Sequence, residues 1–279
     1  MKGKVCVITG GTDGIGKAAA HQLGLQGARL LIHGRDGNKG ARAAAELKER
    51  TGNPEIEFLQ ADFASLAEVR RLAAAVRVRT ARLDVLINNA GGFTSQRHLS
   101  QDGYELTLAV NHLAPFLLTH LLLDLLKASS PSRIVTTASG AHKGARIDFD
   151  DLQSTGRYHG LRVYGMSKLA NILFTRALAR RLQGTGVTAT CLHPGFVRSQ
   201  IGRGIEGVGG SIFGFLSRFA RSPDKGAETL VYLAASPLVE GASGGYYFDC
   251  KEIAPSPAAQ NDTDAQRLWD LSTKLVGIE

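Results

Sequence analysis

Short apolar runs alternate along this chain with longer stretches in which apolar residues recur every three or four positions. The runs at 5–9, 29–33, 56–60, 85–88, 133–138, 187–192 and 246–248 are short and β-branched-rich, so they predict strands buried on both faces. The periodic stretches near 15–26, 38–51, 66–80, 104–127, 163–183 and 224–235 predict amphipathic helices. Strand–helix alternation over most of the chain implies a doubly wound α/β fold, a mostly parallel seven-stranded sheet with helices on both faces. No repeat and no compositional break marks a linker, so one domain over 1–279 is expected. Two segments interrupt the pattern. Residues 140–162 are polar and contain glycine. Residues 199–222 are Gly-rich and then place Ile212, Phe213, Phe215, Leu216 and Phe219 at roughly helical spacing. Because that second segment follows a strand's carboxyl end, a substrate lid is its first reading. Plain packing is the second, and a membrane-touching patch flanked by Arg218 and Arg221 is the third.

Composition narrows the class. Hydrophobic residues make 43% of the chain and charged ones 21%, ordinary for a soluble globular protein. The net charge of +8 comes from dispersed Lys and Arg, with only short pairs such as Arg70-Arg71 and Arg180-Arg181. That pattern predicts a solvated basic surface that attracts an anionic cofactor, and no nucleic-acid partner. Cys6, Cys191 and Cys250 lie in or beside predicted strands and form no disulfide framework, so a reduced, cytoplasmic setting is expected. The first residues enter a strand at once, and the most apolar run, 113–126, is short and broken by His120 and Asp124. Neither a signal peptide nor a stable membrane anchor is therefore expected.

The chemistry concentrates at strand ends. The first strand runs into Gly10, Gly11, Thr12, Asp13, Gly14, Ile15 and Gly16, and a helix follows. Glycines permit the tight turn and let backbone N–H groups approach a pyrophosphate at the helix N-terminus, as in a Rossmann-type site. At the end of the second strand, an acidic residue would select NAD(H) by holding the adenosine ribose, whereas an arginine accommodates a 2′-phosphate. The sequence there is His33-Gly34-Arg35-Asp36, so Arg35 favours NADP(H), although Asp36 could pair with it. Asp62, followed by Phe63, could receive an adenine amino group or cap the helix beginning near Ser65. The fourth strand ends in Asn88-Asn89-Ala90-Gly91, where small residues allow close passage of a cofactor. Asn111 stands alone in an apolar helix and needs a partner, either a proton-relaying water or a neighbouring strand. Tyr164 and Lys168 share one helix face, so an ammonium group can tune a phenol whose unperturbed pKa is near 10. Pro194 and Gly195, with Val197 beyond them, form a turn after the sixth strand. His98, His112, His142 and His193 show no metal spacing and read as structural or solvent-facing.

In order, T-G-x-x-x-G-I-G, N-N-A-G, Asn111, Ser139, Tyr-x-x-x-Lys and P-G resemble the short-chain dehydrogenase/reductase family over essentially the whole chain. V-N-H-L-A-P-F-L-L-T at 110–119, Y-G-M-S-K-L-A-N-I-L-F-T at 164–175, Y-F-D-C-K at 247–251 and R-L-W-D at 267–270 resemble its retinol dehydrogenase-like branch. The resemblance implies that Ser139 holds a substrate carbonyl oxygen and that Tyr164 exchanges a proton with it. It implies that Lys168 lowers the tyrosine pKa and binds the nicotinamide ribose, and that Asn111 sustains a water relay. Cofactor contacts are expected from Gly10, Thr12, Asp13, Gly14, Ile15, Gly16, Arg35, Asp62, Phe63, Asn89, Ala90, Gly91, Tyr164, Lys168, Pro194, Gly195 and Val197. The expected activity is NADP(H)-dependent hydride transfer between nicotinamide and the carbonyl or alcohol group of an apolar small molecule. A non-catalytic dinucleotide sensor is the alternative, and its usual sign, a missing Tyr, Lys or Ser, is absent. The helices at 113–126 and 163–183 could pair in a homodimer or homotetramer, or be covered internally.

Overall fold

A computed structural model describes residues 1–197 and 220–278. The strands are β1 (Val5–Ile8), β2 (Arg29–Gly34), β3 (Ile56–Gln60), β4 (Val85–Asn88), β5 (Ser132–Thr137), β6 (Val187–Leu192), β7 (Tyr246–Phe248) and β8 (Lys251–Glu252). They form one sheet in the order β3-β2-β1-β4-β5-β6-β7-β8. All neighbours pair parallel except β7 and β8, which form a hairpin. The order reverses direction at β1, so β1 and β4 flank a crevice at the carboxyl ends of the strands, where open α/β sheets bind ligands. The sequence pattern predicts seven strands, and the sheet has eight. The extra one is two exposed residues turned back through Asp249 and Cys250 at φ 48° and 59°, too short to carry a hydrophobic pattern.

Alternation along the strands separates two cores. In β1, Val7 joins the layer shared with α3 (Leu66–Arg79), α5 (Ala114–Ala128) and α6 (Gly160–Arg181). Cys6 and Ile8 join the layer shared with α1 (Gly14–Leu25), α2 (Gly37–Thr51) and helix α7 (Pro223–Ala235). Local chemistry starts these helices where the sheet needs them. Asp13 caps α1, Asp36 caps α2 through the Lys39 N–H, and Ser65 caps α3 in a Ser-x-x-Glu arrangement with Glu68. Gly52 at φ 66° ends α2 in the left-handed region.

The apolar helical run Leu106–Ala128 has 23 residues and a mean hydropathy of 1.6, long and apolar enough to cross a membrane by length and composition. In the fold 72% of that window is buried, which fits a core helix. Part of its cover is helix α8 (Asp262–Val276), which the sequence pattern did not reveal as a helix. Trp269 of α8 packs against Phe116 and Phe174 at 5.2 and 6.0 Å, and the Arg181 guanidinium lies 3.9 Å from its ring centroid. Ser272 hydrogen-bonds His112 at 2.8 Å. Of the two alternatives for the α5 and α6 helices, internal cover is therefore observed along this face. The 199–222 segment expected to act as a lid lies, apart from its last three residues, outside the described residues.

One buried carboxylate ties the amino-terminal edge of the sheet. Asp84 accepts from the Val5 N–H and Lys4 Nζ, both at 2.9 Å, and from Arg82 Nη2 at 2.6 Å. Burial alone would raise its pKa, but bonds from Arg82, Val5 and Lys4 together hold it below the ordinary 3.8. A depressed carboxylate stabilises the fold above its unfolded pKa and loses that contribution as pH falls through the folded value. Asp84→Asn should cost about 1–3 kcal/mol at pH 7 by leaving donors unmatched. In thermal unfolding, the gap between variant and parent should close as pH falls below about 3.8.

Candidate active site

The crevice is built first from close backbone approach. Gly10 has φ 64°, and a Cβ there would stand 2.9 Å from the Ala90 Cα. A Cβ on Gly16 would meet the Gly10 carbonyl oxygen at 2.2 Å and Asn89 Nδ2 at 2.5 Å. Only glycine lets the turn after β1 and the end of β4 pass this closely. Thr9 stitches them: its hydroxyl donates to the Ile87 carbonyl and accepts from the N–H groups of Asn89 and Ala90 at 2.9 and 3.0 Å. Asn89 Nδ2 donates to the Thr9 carbonyl at 3.1 Å. The result is a rigid turn at the N-terminus of α1, whose backbone and helix dipole suit a pyrophosphate. Ile15 and Val197 meet across Gly226, where a Cβ would lie 2.7 Å from Val197 Cγ2 and 3.2 Å from Ile15 Cγ1. Pro194 and the left-handed Gly195, φ 81°, lead into this contact, and His193 Nδ1 accepts the Gly195 N–H at 3.2 Å.

At the end of β2, Arg35 is exposed and forms no ion pair among the described residues. Asp36, which could have paired with it, instead caps α2. Gly34 abuts Thr12, whose Cγ2 and Oγ1 would both stand 2.8 Å from a Cβ. A second cation, Lys39, reaches Asp13 Oδ2 at 2.5 Å and brings its charge to the same rim. Sequence reasoning passed over Lys39 because it sits one helical turn beyond the motif. His33 was also missed. It is buried, stacks on Phe63 at 4.3 Å, and its Nε2 faces the Ala61 carbonyl at 3.0 Å. Burial pulls its pKa down to about 4, so the ring is neutral and Nδ1 can accept the Gly10 N–H. Phe63 is thus a core residue, and only its backbone remains to meet a cofactor. Asp62 does not cap α3, since Ser65 does; one of its oxygens accepts the Ala64 N–H instead.

Four residues converge beyond β5. The Ser139 side chain lies beside the Tyr164 phenol and acts on its titration. Burial raises the phenol's pKa while Ser139 lowers it, with a net upward shift. Lys168 Nζ lies 5.6 Å from the tyrosine ring centroid and donates to the Thr137 carbonyl at 3.2 Å. Lys168 thus stands over the ring, and burial and Ser139 are what shift the phenol. Lys168 itself is buried, and desolvation pulls its pKa to about 8. Gly91 makes room beside it, for a Cβ there would be 3.2 Å from Nζ. Asn111 sits in a π-helical turn, Ala109–Leu113, between α4 (Leu106–Leu108) and α5. Its Oδ1 accepts the Gly92 N–H at 2.7 Å, and its Nδ2 donates to the Gly92 carbonyl and Ser167 Oγ, both at 2.9 Å. Both amide hydrogens are taken by protein, so the side chain ties the π-helical turn to the Gly92 backbone and to α6.

Turn geometry separates the glycines. Gly16→Ala meets backbone at 2.2 Å, whereas a Cβ on Gly14 meets nothing within 4 Å and is opposed only by φ 51°. We expect Gly16→Ala to lower stability by about 1–3 kcal/mol and to weaken dinucleotide binding, with Gly14→Ala milder on both. Thermal unfolding and quenching of nicotinamide fluorescence would measure this, and equal effects would refute the packing argument.

Residues 4–206 match the family described as short chain dehydrogenase. The human protein named Retinol dehydrogenase 14 is 44% identical over 294 residues, covering all of this chain and 88% of its own length. Among solved structures, an uncharacterized protein from Mycobacterium paratuberculosis superposes with a TM-score of 0.82 at 33% identity, covering 100% of this chain and 95% of its own. The Pseudomonas aeruginosa RhlG/NADP active-site complex superposes with a TM-score of 0.70 at 29% identity, covering 88% of this chain and 94% of its own.

Proposed function

The chain belongs to the short-chain dehydrogenase family, in its retinol dehydrogenase-like branch, and from that premise we propose an NADP(H)-dependent enzyme interconverting an apolar alcohol and its carbonyl compound. Family membership makes it an oxidoreductase using a nicotinamide dinucleotide on a small molecule. The observation that carries the finer reading is the convergence of Ser139, the Tyr164 phenol and a buried Lys168 that has no carboxylate partner among the described residues.

The residues present fit the cofactor. The turn from Gly10 to Gly16 offers backbone N–H groups to a pyrophosphate, and Gly91 leaves space beside Lys168 for a ribose. Bound there, the nicotinamide would supply or receive the hydride at the carbonyl carbon. The Ser139 hydroxyl would hold the carbonyl oxygen. Tyr164, kept protonated by burial, would donate its proton to that oxygen in reduction and recover it in oxidation. Lys168 as ammonium would hold the ribose and stabilise the transient phenolate. Preference for NADP(H) rests on Arg35, unpaired among the described residues, the crowded Gly34, the nearby Lys39 and the likeness to an NADP-bound structure. An apolar substrate is supported by Phe93, edge-on to the Tyr164 ring at 6.1 Å, by exposed Leu161 one turn before Tyr164, and by the name of the retinol relative.

Absorbance at 340 nm tests this with NADPH or NADH and carbonyl compounds graded by apolarity. Tyr164→Phe should abolish turnover while keeping cofactor affinity; undiminished turnover would sink the assignment. Arg35→Ala should cut the NADPH preference about 10- to 100-fold, the worth of one charge-assisted hydrogen bond. Lys168 should also impose a pH dependence. NADPH affinity and reduction rate should fall as pH rises through about 8, where its ammonium loses its proton, and the affinity change should vanish in Lys168→Met.

A further inference from the structure

Ser139 opens a 3-10 turn, Gly140–His142, and its hydroxyl accepts the Ala141 N–H at 3.1 Å. Its carbonyl faces two donors from one residue: the His142 N–H at 3.2 Å and the His142 ring Nδ1 at 2.7 Å. The ring's other nitrogen, Nε2, receives the Ser256 N–H at 3.1 Å. A backbone N–H can only donate, so Nε2 must be bare. A neutral imidazole with a bare Nε2 carries its proton on Nδ1, where it donates to the Ser139 carbonyl. Protonating the ring would set one N–H against another. The ring is fully buried, and burial first, opposed by the Ser139 carbonyl, holds its pKa below the ordinary 6.5. Tyr246 of β7 packs edge-on at 5.1 Å, with its hydroxyl 3.4 Å from Nδ1, and closes the remaining side. The histidine that sequence pattern assigns to structure or solvent is thus locked in one tautomer by the C-terminal segment, with its proton aimed at Ser139.

We infer that His142 is a positioning residue for the proposed reaction, clamping the Ser139 carbonyl through an Nδ1–H tautomer fixed by Ser256 and so orienting the Ser139 hydroxyl toward Tyr164. The inference rests on the function proposed above. It adds to that reading a contact from Ser256, well over a hundred residues away in sequence, that governs the angle of the candidate catalytic serine.

Three variants separate positioning from stability. Asn at 142 keeps a donor near the place of Nδ1, and Gln moves its amide outward to the place of Nε2. The third, Ser256→Pro, replaces the N–H that selects the tautomer with a ring carbon, which frees Nε2 of its donor and moves the segment away from it. The Ser256 φ of −60° already suits proline, and its hydroxyl has no partner among the described residues to lose. His142→Gln and Ser256→Pro should lose about 10- to 100-fold in kcat with the KM for NADPH unchanged, as expected for a misplaced catalytic group. His142→Asn should stay within about threefold of the parent. Equal kcat in the Asn and Gln variants, or kcat losses that follow Tm across all three, would overturn the inference. Nitrogen-15 NMR of the histidine rings gives a readout independent of turnover. The parent should show His142 with Nδ1 protonated and Nε2 bare, and Ser256→Pro should mix in the other tautomer. The opposite tautomer in the parent would overturn the inference even in an active enzyme. A parent with the expected tautomer but no turnover with either cofactor would instead overturn the functional reading, and the positioning role with it.

Discussion

The close passage of two backbones at the head of the sheet governs everything around it. The turn after β1 and the end of β4 approach so tightly that Gly16 has the Gly10 carbonyl where its side chain would be. Thr9 and Asn89 then satisfy the polar groups that this approach would otherwise strand. An unpaired buried amide costs a large fraction of a domain's net stability, so the stitching is as necessary as the glycines. Once the two strand ends are fixed, the N-terminus of α1 points into the crevice. Gly91 and Gly92 then fall where Lys168 and Asn111 can reach them. The proposed dinucleotide site and the proposed proton-transfer site are one construction sharing a wall.

That wall explains the electrostatics. Among the described residues Lys168 is buried without a carboxylate and donates to a backbone carbonyl, which is why desolvation dominates its titration. Tyr164 is buried, with no cation directed at its oxygen among the described residues, and burial raises its phenol. A lysine near its switching point and a tyrosine held protonated make a pair whose charges are set chiefly by ligand binding. Anionic phosphates and ribose hydroxyls would favour the ammonium, and the ammonium would then ease departure of the phenolic proton. On the proposed function, the site would acquire its working charge state when filled.

Much of this was legible in the sequence, for identifiable reasons. Seven buried strands announce themselves because parallel sheets need continuous apolar runs, while β8 is two exposed residues made by turn geometry and announces nothing. Helix α8 did carry signals in Asn261, Asp262, Asp264 and the left-handed Gly277, but they mark its ends and not its partner. The linear motifs placed Gly10, Asn89, Ser139, Tyr164 and Lys168 at strand ends or on one helix. What they could not convey is which hydrogen bond each polar atom makes. Asp36 could pair with Arg35 or cap a helix, and only packing decides for the cap. Asn111 could hold water or tie a strand, and only the π-helical turn shows that its amide reaches Gly92 and Ser167. Phe63 reads as a cofactor neighbour by position, yet it is a core ring against His33.

The C-terminal quarter shows how such undecided atoms are settled from afar. Tyr246 lies between two histidines, edge-on to His142 and stacked on His193 at 5.6 Å. One histidine meets the Ser139 carbonyl and the other accepts the Gly195 N–H. A single buried strand residue therefore registers the serine turn against the Pro194-Gly195 turn. Local sequence supplies the reactive groups, but their angles are fixed by β7 and the segment after it, through neutral imidazoles that low-dielectric surroundings keep uncharged. Histidine suits this task because it joins a donor and an acceptor through one rigid ring, so each contact selects the direction of the other. A side chain with separate, freely rotating groups would bond the same partners without transmitting that choice.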